Sequence, residues 1–255
     1  MGTSLVITSF IFLCGAVLGS FLNVVILRLP QPGMSVAFPP SHCPKCKHDL
    51  AAIYNVPIFS FLFLKGKCRY CQTSISYQYP LVELSMAILT LIVFAIFGFT
   101  LKGIGNFFFC AMLLVIFFID AKNKIIPDVI TLSGCASGVL FSFLGGNVNV
   151  IDSIIGIIAG GAFFLFMSIA YMALRKREGL GGGDIKFIAM LGAWLGWESL
   201  PTLVFLSAVT GIIFGTFWLH FKDKECMCKI PYGPFLSTAG LICLFFQTEL
   251  RHFGM

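Results

Sequence analysis

Charge is scarce in this chain. Only 11% of its 255 residues are charged, eleven of them acidic, while 58% are hydrophobic. A soluble domain carries about 25% charged residues, so a water-soluble globular fold is excluded. The formal net charge of +6 comes from lysines and arginines scattered through short loops. Because they sit in short loops, nucleic acid is not an expected partner, and the basic bias reads as membrane orientation instead. No glycine-rich nucleotide loop follows a strand-like segment. The first apolar segment has no basic residues before it, and its positive charge, Arg28, comes after it. That pattern does not describe a cleavable signal peptide. No apolar segment carries a clear charge at its centre, which disfavours a transporter pathway.

What is abundant is long apolar sequence. Runs of about 20 such residues mark transmembrane helices, and eight are predicted: 4–27, 81–99, 103–120, 127–145, 150–174, 184–200, 202–220 and 231–249. The expected fold is therefore an all-α polytopic membrane protein. Eight spans put both termini on one side and divide the loops into two sets. One set holds 15 of the 17 basic residues; the other holds only Lys102 and Arg251. The positive-inside rule makes the basic side cytoplasmic. Pairs of small residues four apart recur along the segments, such as Gly156/Gly160 and Gly192/Gly196. They allow close helix–helix approach.

Residues 30–80 interrupt this pattern with a polar insert that contains seven of the eleven prolines. Loops and short strands are expected there. The insert also holds Cys43-Pro-Lys-Cys46 and Cys68-Arg-Tyr-Cys71, with 21 residues between the pairs. Two such knuckles suit a four-thiolate zinc site. A staple of this kind makes sense for a segment too small to build its own core. A membrane thiol–disulfide oxidoreductase using the same pairs is the competing reading. Cys14, Cys110, Cys135 and Cys243 read as small apolar residues within helices. Cys226 and Cys228 have the wrong spacing for a knuckle.

Among the acids, three stand near the basic side at segment ends. Asp120 closes the third segment, Asp128 follows Pro127 at the start of the fourth, and Asp184 opens the sixth after Gly181-Gly182-Gly183. With Gly179, four glycines fall in five positions, at a cost to any helix start. Glycine permits unusual backbone conformations and close approach beside the acid. Asp120 and Asp184 are expected at one membrane depth, where paired carboxylates can share a proton and activate water. Asp128 is the alternative partner, although an acid after proline also reads as an ordinary helix start.

These motifs occur together with others in a fixed order. The first segment ends in Gly19-Ser-Phe-Leu-Asn-Val-Val-Ile-Leu-Arg-Leu-Pro30. The insert carries Ser41-His-Cys-Pro-Lys-Cys46, Asn55-Val-Pro57, Gly66-Lys-Cys68 and Tyr79-Pro80 with Glu83. Then come Ile119-Asp120, Ile126-Pro-Asp128 and Gly181-Gly-Gly-Asp184-Ile-Lys186. Along nearly its whole length the chain resembles the type IV prepilin leader peptidases, the bifunctional peptidase and N-methyltransferase of bacterial pilus, type II secretion and competence systems. The resemblance implies a membrane aspartic peptidase of the Gly-x-Gly-Asp type with Asp120 and Asp184 as the catalytic pair. It implies S-adenosylmethionine as methyl donor, beside the zinc that the spacing of Cys43, Cys46, Cys68 and Cys71 suits. Gly66, Lys67 and Glu83 would belong to the methyltransferase region. The implied partners are type IV prepilins or pseudopilins and membrane lipid. The implied location is the bacterial inner membrane, with the sites facing the cytoplasm. The expected organisation is a first helix over 1–29, the cysteine insert over 30–80, and a seven-helix peptidase bundle over 81–255. A peptidase without methyl transfer is the nearest alternative.

Overall fold

The protein is described by a computed structural model that covers residues 2–38, 40–176, 181–221 and 230–246. Gly179, Cys226, Cys228 and Arg251 lie outside the described residues. The described chain is all-helical, without strands. It divides into two compact units, residues 1–115 and 116–255.

The first unit is built on α1 (Gly2–Arg28) and α3 (Gln78–Phe97), which pack along one another. Their contact is made by missing side chains. A Cβ on Gly15 would stand 2.8 Å from the Ala87 Cα, and one on Gly19 would stand 2.7 Å from the Glu83 Cα. Close backbone approach of this kind is how membrane helices associate when no hydrophobic driving force operates between them. The insert joins α1 to α3. It holds a 3₁₀ turn (Ala52–Asn55), the five-residue helix α2 (Phe59–Phe63) and two isolated β-bridges, His42 to Asp49 and Lys67 to Ser74. The short strands expected here are thus reduced to one bridge in each cysteine knuckle. Tyr79 and Pro80 lie inside α3, not before it, since proline is tolerated in a first helical turn.

Helix α4 (Leu101–Asn123) runs from the first unit into the second. The second unit continues with α5 (Asp128–Phe143), α6 (Val150–Arg175), α7 (Gly182–Leu195), α8 (Leu200–Phe221) and α9 (Gly233–Phe245). Its centre is α7, which packs on α5, α6, α8 and α9 and is buried at every position from Phe187 to Leu195. A helix apolar all round belongs inside. On one side Gly156 of α6 meets Gly192 of α7 backbone to backbone, and the Ser153 hydroxyl donates to the Ala193 carbonyl at 2.7 Å. On the other, Gly134 and Gly138 of α5 receive Met190 and Trp194, and Trp194 Nε1 donates to the Gly134 carbonyl at 2.8 Å.

Each of the eight apolar segments contains a helix, though not every described helix reaches spanning length. Five described helices are long and apolar enough to cross a bilayer: 5–28, 78–97, 101–123, 150–174 and 197–216. At 16 and 13 residues, α5 and α9 are apolar but shorter. The segment 184–200 breaks at Gly196 (φ +82°), where the chain turns through a 3₁₀ step into α8. The polar pair Glu198-Ser199 follows directly, within that turn. Large apolar side chains such as Ile151, Ile158, Phe163 and Phe166 of α6 stand exposed. Such a surface is stable against lipid and not against water.

Candidate active site and metal centre

Asp120 lies in the last turn of α4 and is buried, with 5% of its surface accessible. Its Oδ2 accepts a hydrogen bond of 2.8 Å from the backbone N–H of Gly233, the first residue of α9. After Asn123 the chain leaves the helix at Lys124, whose φ is +57° and whose N–H bonds back to the Asp120 carbonyl at 2.8 Å. Ile125, Ile126 and Pro127 then run without helical or turn structure to α5.

Asp184 is the third residue of α7, in its first turn. The glycines before it serve different contacts. A Cβ on Gly183 would press to 3.0 Å from the Ile126 Cβ, and one on Gly181 would press to 3.0 Å from Oδ2 of Asp184 itself; Gly182 faces open space. The run therefore brings the start of α7 against the 125–127 segment and leaves room for the carboxylate. Asp120 and Asp184 line one cavity of about 290 Å³, walled by Ile125, Ile126 and the three glycines. The Asp120 charge acts on Asp184, and the Asp184 charge acts in turn on Tyr232, next to Gly233. Asp128 stands at the rim of the same cavity, but its carboxylate is ion-paired to Lys186 at 2.7 Å, both side chains being about half exposed. The structure thus couples Asp184 to Asp120 and gives Asp128 a different partner.

Nothing in sequence singled out Gly233. Its signal was Tyr232-Gly233-Pro234 at the mouth of an apolar segment, a turn-and-helix start resembling many others. The glycine is required because a Cβ there would stand 2.7 Å from Oδ2 of Asp120.

In the first unit, the sulfurs of Cys43, Cys46, Cys68 and Cys71 lie within 4.8 Å of one another. The two knuckles are built alike. Cys43 N–H bonds to the His48 carbonyl at 3.0 Å and Cys68 N–H to the Thr73 carbonyl at 2.8 Å. The residue after each second cysteine, Lys47 or Gln72, turns at φ +56°. His48 of one knuckle packs at a 44° tilt against Tyr70 of the other, with 3.7 Å between ring centres. Cys43 and Cys71 sulfurs are 3.8 Å apart, and all four thiols are free. A disulfide needs about 2.05 Å. An edge near 3.8 Å is what four thiolates make around zinc at about 2.3 Å each. The Cys46 backbone N–H points at the Cys43 sulfur and, with the Lys45 N–H, outweighs burial to pull its thiol down to about 6. Cys71 goes the other way: against the Thr73 N–H, which lowers it, burial and the neighbouring thiols push it up to about 11, so the thiolate is favoured at Cys43 alone of the two. The donor set fits a structural zinc ion.

The three residues expected in the methyltransferase region occupy structural positions. Gly66 turns at φ +67° with the Phe61 ring 3.1 Å from where a Cβ would lie. Lys67 is exposed beside the bridge to Ser74. Glu83 is buried in α3, where its carboxylate takes the Ile58 N–H at 2.7 Å and the Ser20 hydroxyl.

Residues 13–97 match the bacterial Peptidase A24 N-terminal domain, which takes in the cysteine cluster and Glu83. Residues 107–216 match the type IV leader peptidase family and take in Asp120 and Asp184. A protein of Aeromonas salmonicida (strain A449) named prepilin leader peptidase/N-methyltransferase is 38% identical over 260 residues, covering 92% of this chain and 89% of the relative. Proteins of the same name from Burkholderia pseudomallei (strain 1026b) and Pseudomonas aeruginosa are 36% and 34% identical, over 94% and 93% of this chain and 85% and 90% of the relatives. No solved structure matches.

Proposed function

Because the chain belongs to the type IV leader peptidase family, we propose that it cleaves the leader from type IV prepilins or pseudopilins and N-methylates the residue that cleavage exposes. The observation that carries the peptidase half is the single cavity shared by Asp120 and Asp184. Two carboxylates facing each other cannot both ionise cheaply, so the pair keeps one proton. The ionised member takes a proton from a water between them as its oxygen attacks the scissile carbonyl. The protonated member donates to the carbonyl oxygen; the tetrahedral adduct then collapses as the proton taken from water passes to the leaving amine of the mature chain, an adduct hydroxyl returns its proton to the other carboxylate, and the leader leaves as a carboxylic acid. Gly233 N–H fixes the orientation of Asp120 through this cycle. The glycines before Asp184 keep one wall low enough for an extended peptide.

The insert serves the methylating half. S-adenosylmethionine supplies the methyl group there. Gly66 and Lys67 shape the second knuckle and Glu83 fastens the insert to α3. Zinc on Cys43, Cys46, Cys68 and Cys71 holds the two knuckles together. The chain divides into a first helix, the insert over 30–80 and a peptidase bundle after it. In the bilayer we place all eight apolar segments as spans, with both termini and the basic loops on the cytoplasmic side of the inner membrane. Both centres then face the cytoplasm, and the new amine reaches the second site without crossing the bilayer.

The test is intact-mass spectrometry of a purified prepilin after incubation with the protein in lipid, with and without S-adenosylmethionine. The expected result is loss of the leader in both samples and one added methyl only with the donor. Cleavage without methylation removes the second activity, and an unchanged mass contradicts the proposal.

A further inference from the structure

The helix α2 lies in the insert, yet it is fastened to a membrane span. Ile58, which precedes it, has φ +63° and ψ −51°. A β-branched residue there is a genuine outlier that persists only where its surroundings hold it. What holds it is Glu83, whose carboxylate accepts the Ile58 N–H at 2.7 Å. Glu83 is 6% exposed and is the sixth residue of α3, which is a spanning helix from its first residue. At about 1.5 Å per residue, Glu83 sits some 7–8 Å along that span. The start of α2 is therefore pinned beside the second turn of a membrane helix.

The face that α2 then presents is apolar. Phe59, Leu62 and Phe63 follow i, i+3, i+4 spacing, form one stripe, and are 54%, 65% and 90% exposed. Phe61 turns the other way, onto Tyr77 at 5.5 Å. Immediately after the stripe come exposed Lys65 and Lys67, and no acidic residue occurs between Asp49 and Glu83. A short apolar stripe followed by cations and flanked by a tyrosine at the head of a span has the chemistry of a bilayer interface.

We propose that α2 is an interfacial anchor: its Phe59–Leu62–Phe63 stripe enters the acyl–headgroup boundary of an anionic bilayer, with Lys65 and Lys67 on the lipid phosphates, and so fixes the cysteine insert against the membrane surface. The proposal depends on the spans and not on the chemistry at either site. The full chain carrying Phe63→Trp is reconstituted into phosphatidylethanolamine/phosphatidylglycerol vesicles. Its fluorescence is read as the difference from wild type, which carries only the native tryptophans. The added emission should be blue-shifted and lose intensity with lipids brominated near the glycerol end of the chain, while aqueous iodide leaves it unchanged. The lipid quenching should weaken when phosphatidylcholine replaces both lipids. Quenching by iodide alone overturns the proposal, because the stripe then faces water. Protection from both quenchers also overturns it, because a protein surface then covers the stripe. Equal quenching in both lipid mixtures overturns the role given to the two lysines. Phe59→Trp, on the same stripe, should reproduce the pattern should Phe63→Trp not fold.

Discussion

The backbone N–H of Gly233 donates to Oδ2 of Asp120 at 2.8 Å, and a Cβ on Gly233 would stand 2.7 Å from that same oxygen. One residue thus supplies a donor and, by lacking a side chain, the space for the acceptor. Gly233→Ala should keep the donor and lose the space. Forcing a methyl into a packed site costs about 1–3 kcal/mol. Because the displaced atom belongs to the proposed catalytic pair, kcat should fall far more than KM changes. Steady-state cleavage kinetics check this, and a wild-type kcat would separate Gly233 from the chemistry.

A second consequence concerns the contact between α6 and α7. Gly156 and Gly192 face each other so closely that a Cβ on either would overlap the other's carbonyl oxygen. Backbone cannot move aside as a flexible side chain can, so Gly192→Ala should destabilise by about 1–3 kcal/mol or more. Gly211→Ala is the control, since its Cβ would meet the Phe235 ring at an ordinary 3.5 Å. Thermal unfolding in detergent should show a lowered midpoint for the first variant and none of that loss for the second.

The thiol cluster makes a compositional prediction. Protein purified under reducing conditions should hold one zinc per chain by elemental analysis. Cys43→Ser should lose that metal and become sensitive to proteolysis within residues 40–75, since the metal would join the two knuckles that otherwise meet through His48 and Tyr70. Cleavage of prepilin should survive this change, because Asp120 and Asp184 lie in the other compact unit. Methyl transfer should fall.

The ion pair between Lys186 and Asp128 should matter little for stability. Its length is 2.7 Å, but both side chains are about half exposed, and such pairs are worth about 0–1 kcal/mol. Lys186→Ala should therefore shift the unfolding midpoint only slightly. Asp128→Asn should retain measurable cleavage, which distinguishes it from the two acids that share the cavity.

How much of this could be read from residues alone differs from element to element. The helices were legible because apolar runs state their own length, and the four cysteines were legible because knuckle spacing is local. Asp120 and Asp184 were legible as a pair through shared depth at segment ends. Other features depend on where distant parts of the chain come to rest. Gly233 reaches Asp120 across 113 positions, and what makes it important is an atom that is missing. The break at Gly196 was signalled only by Glu198, since a single acid near a segment end does not say where the backbone turns. Glu83 carried a resemblance to a methyltransferase motif, but its use by Ile58 and Ser20 follows only from the packing of α1, α2 and α3. In each case the sequence states composition along the chain, and the missing information is which backbone groups meet.

The most direct test of the account is prepilin cleavage by Asp120→Asn and Asp184→Asn, followed by mass spectrometry on preparations whose unfolding midpoints match wild type. An asparagine keeps the shape of each side chain and removes its capacity to hold or release the proton. The account predicts that each variant loses about 10²–10⁴-fold or more of the cleavage rate, while the bundle stays folded. Near-wild-type cleavage by either variant would contradict it, since a single carboxylate would then suffice.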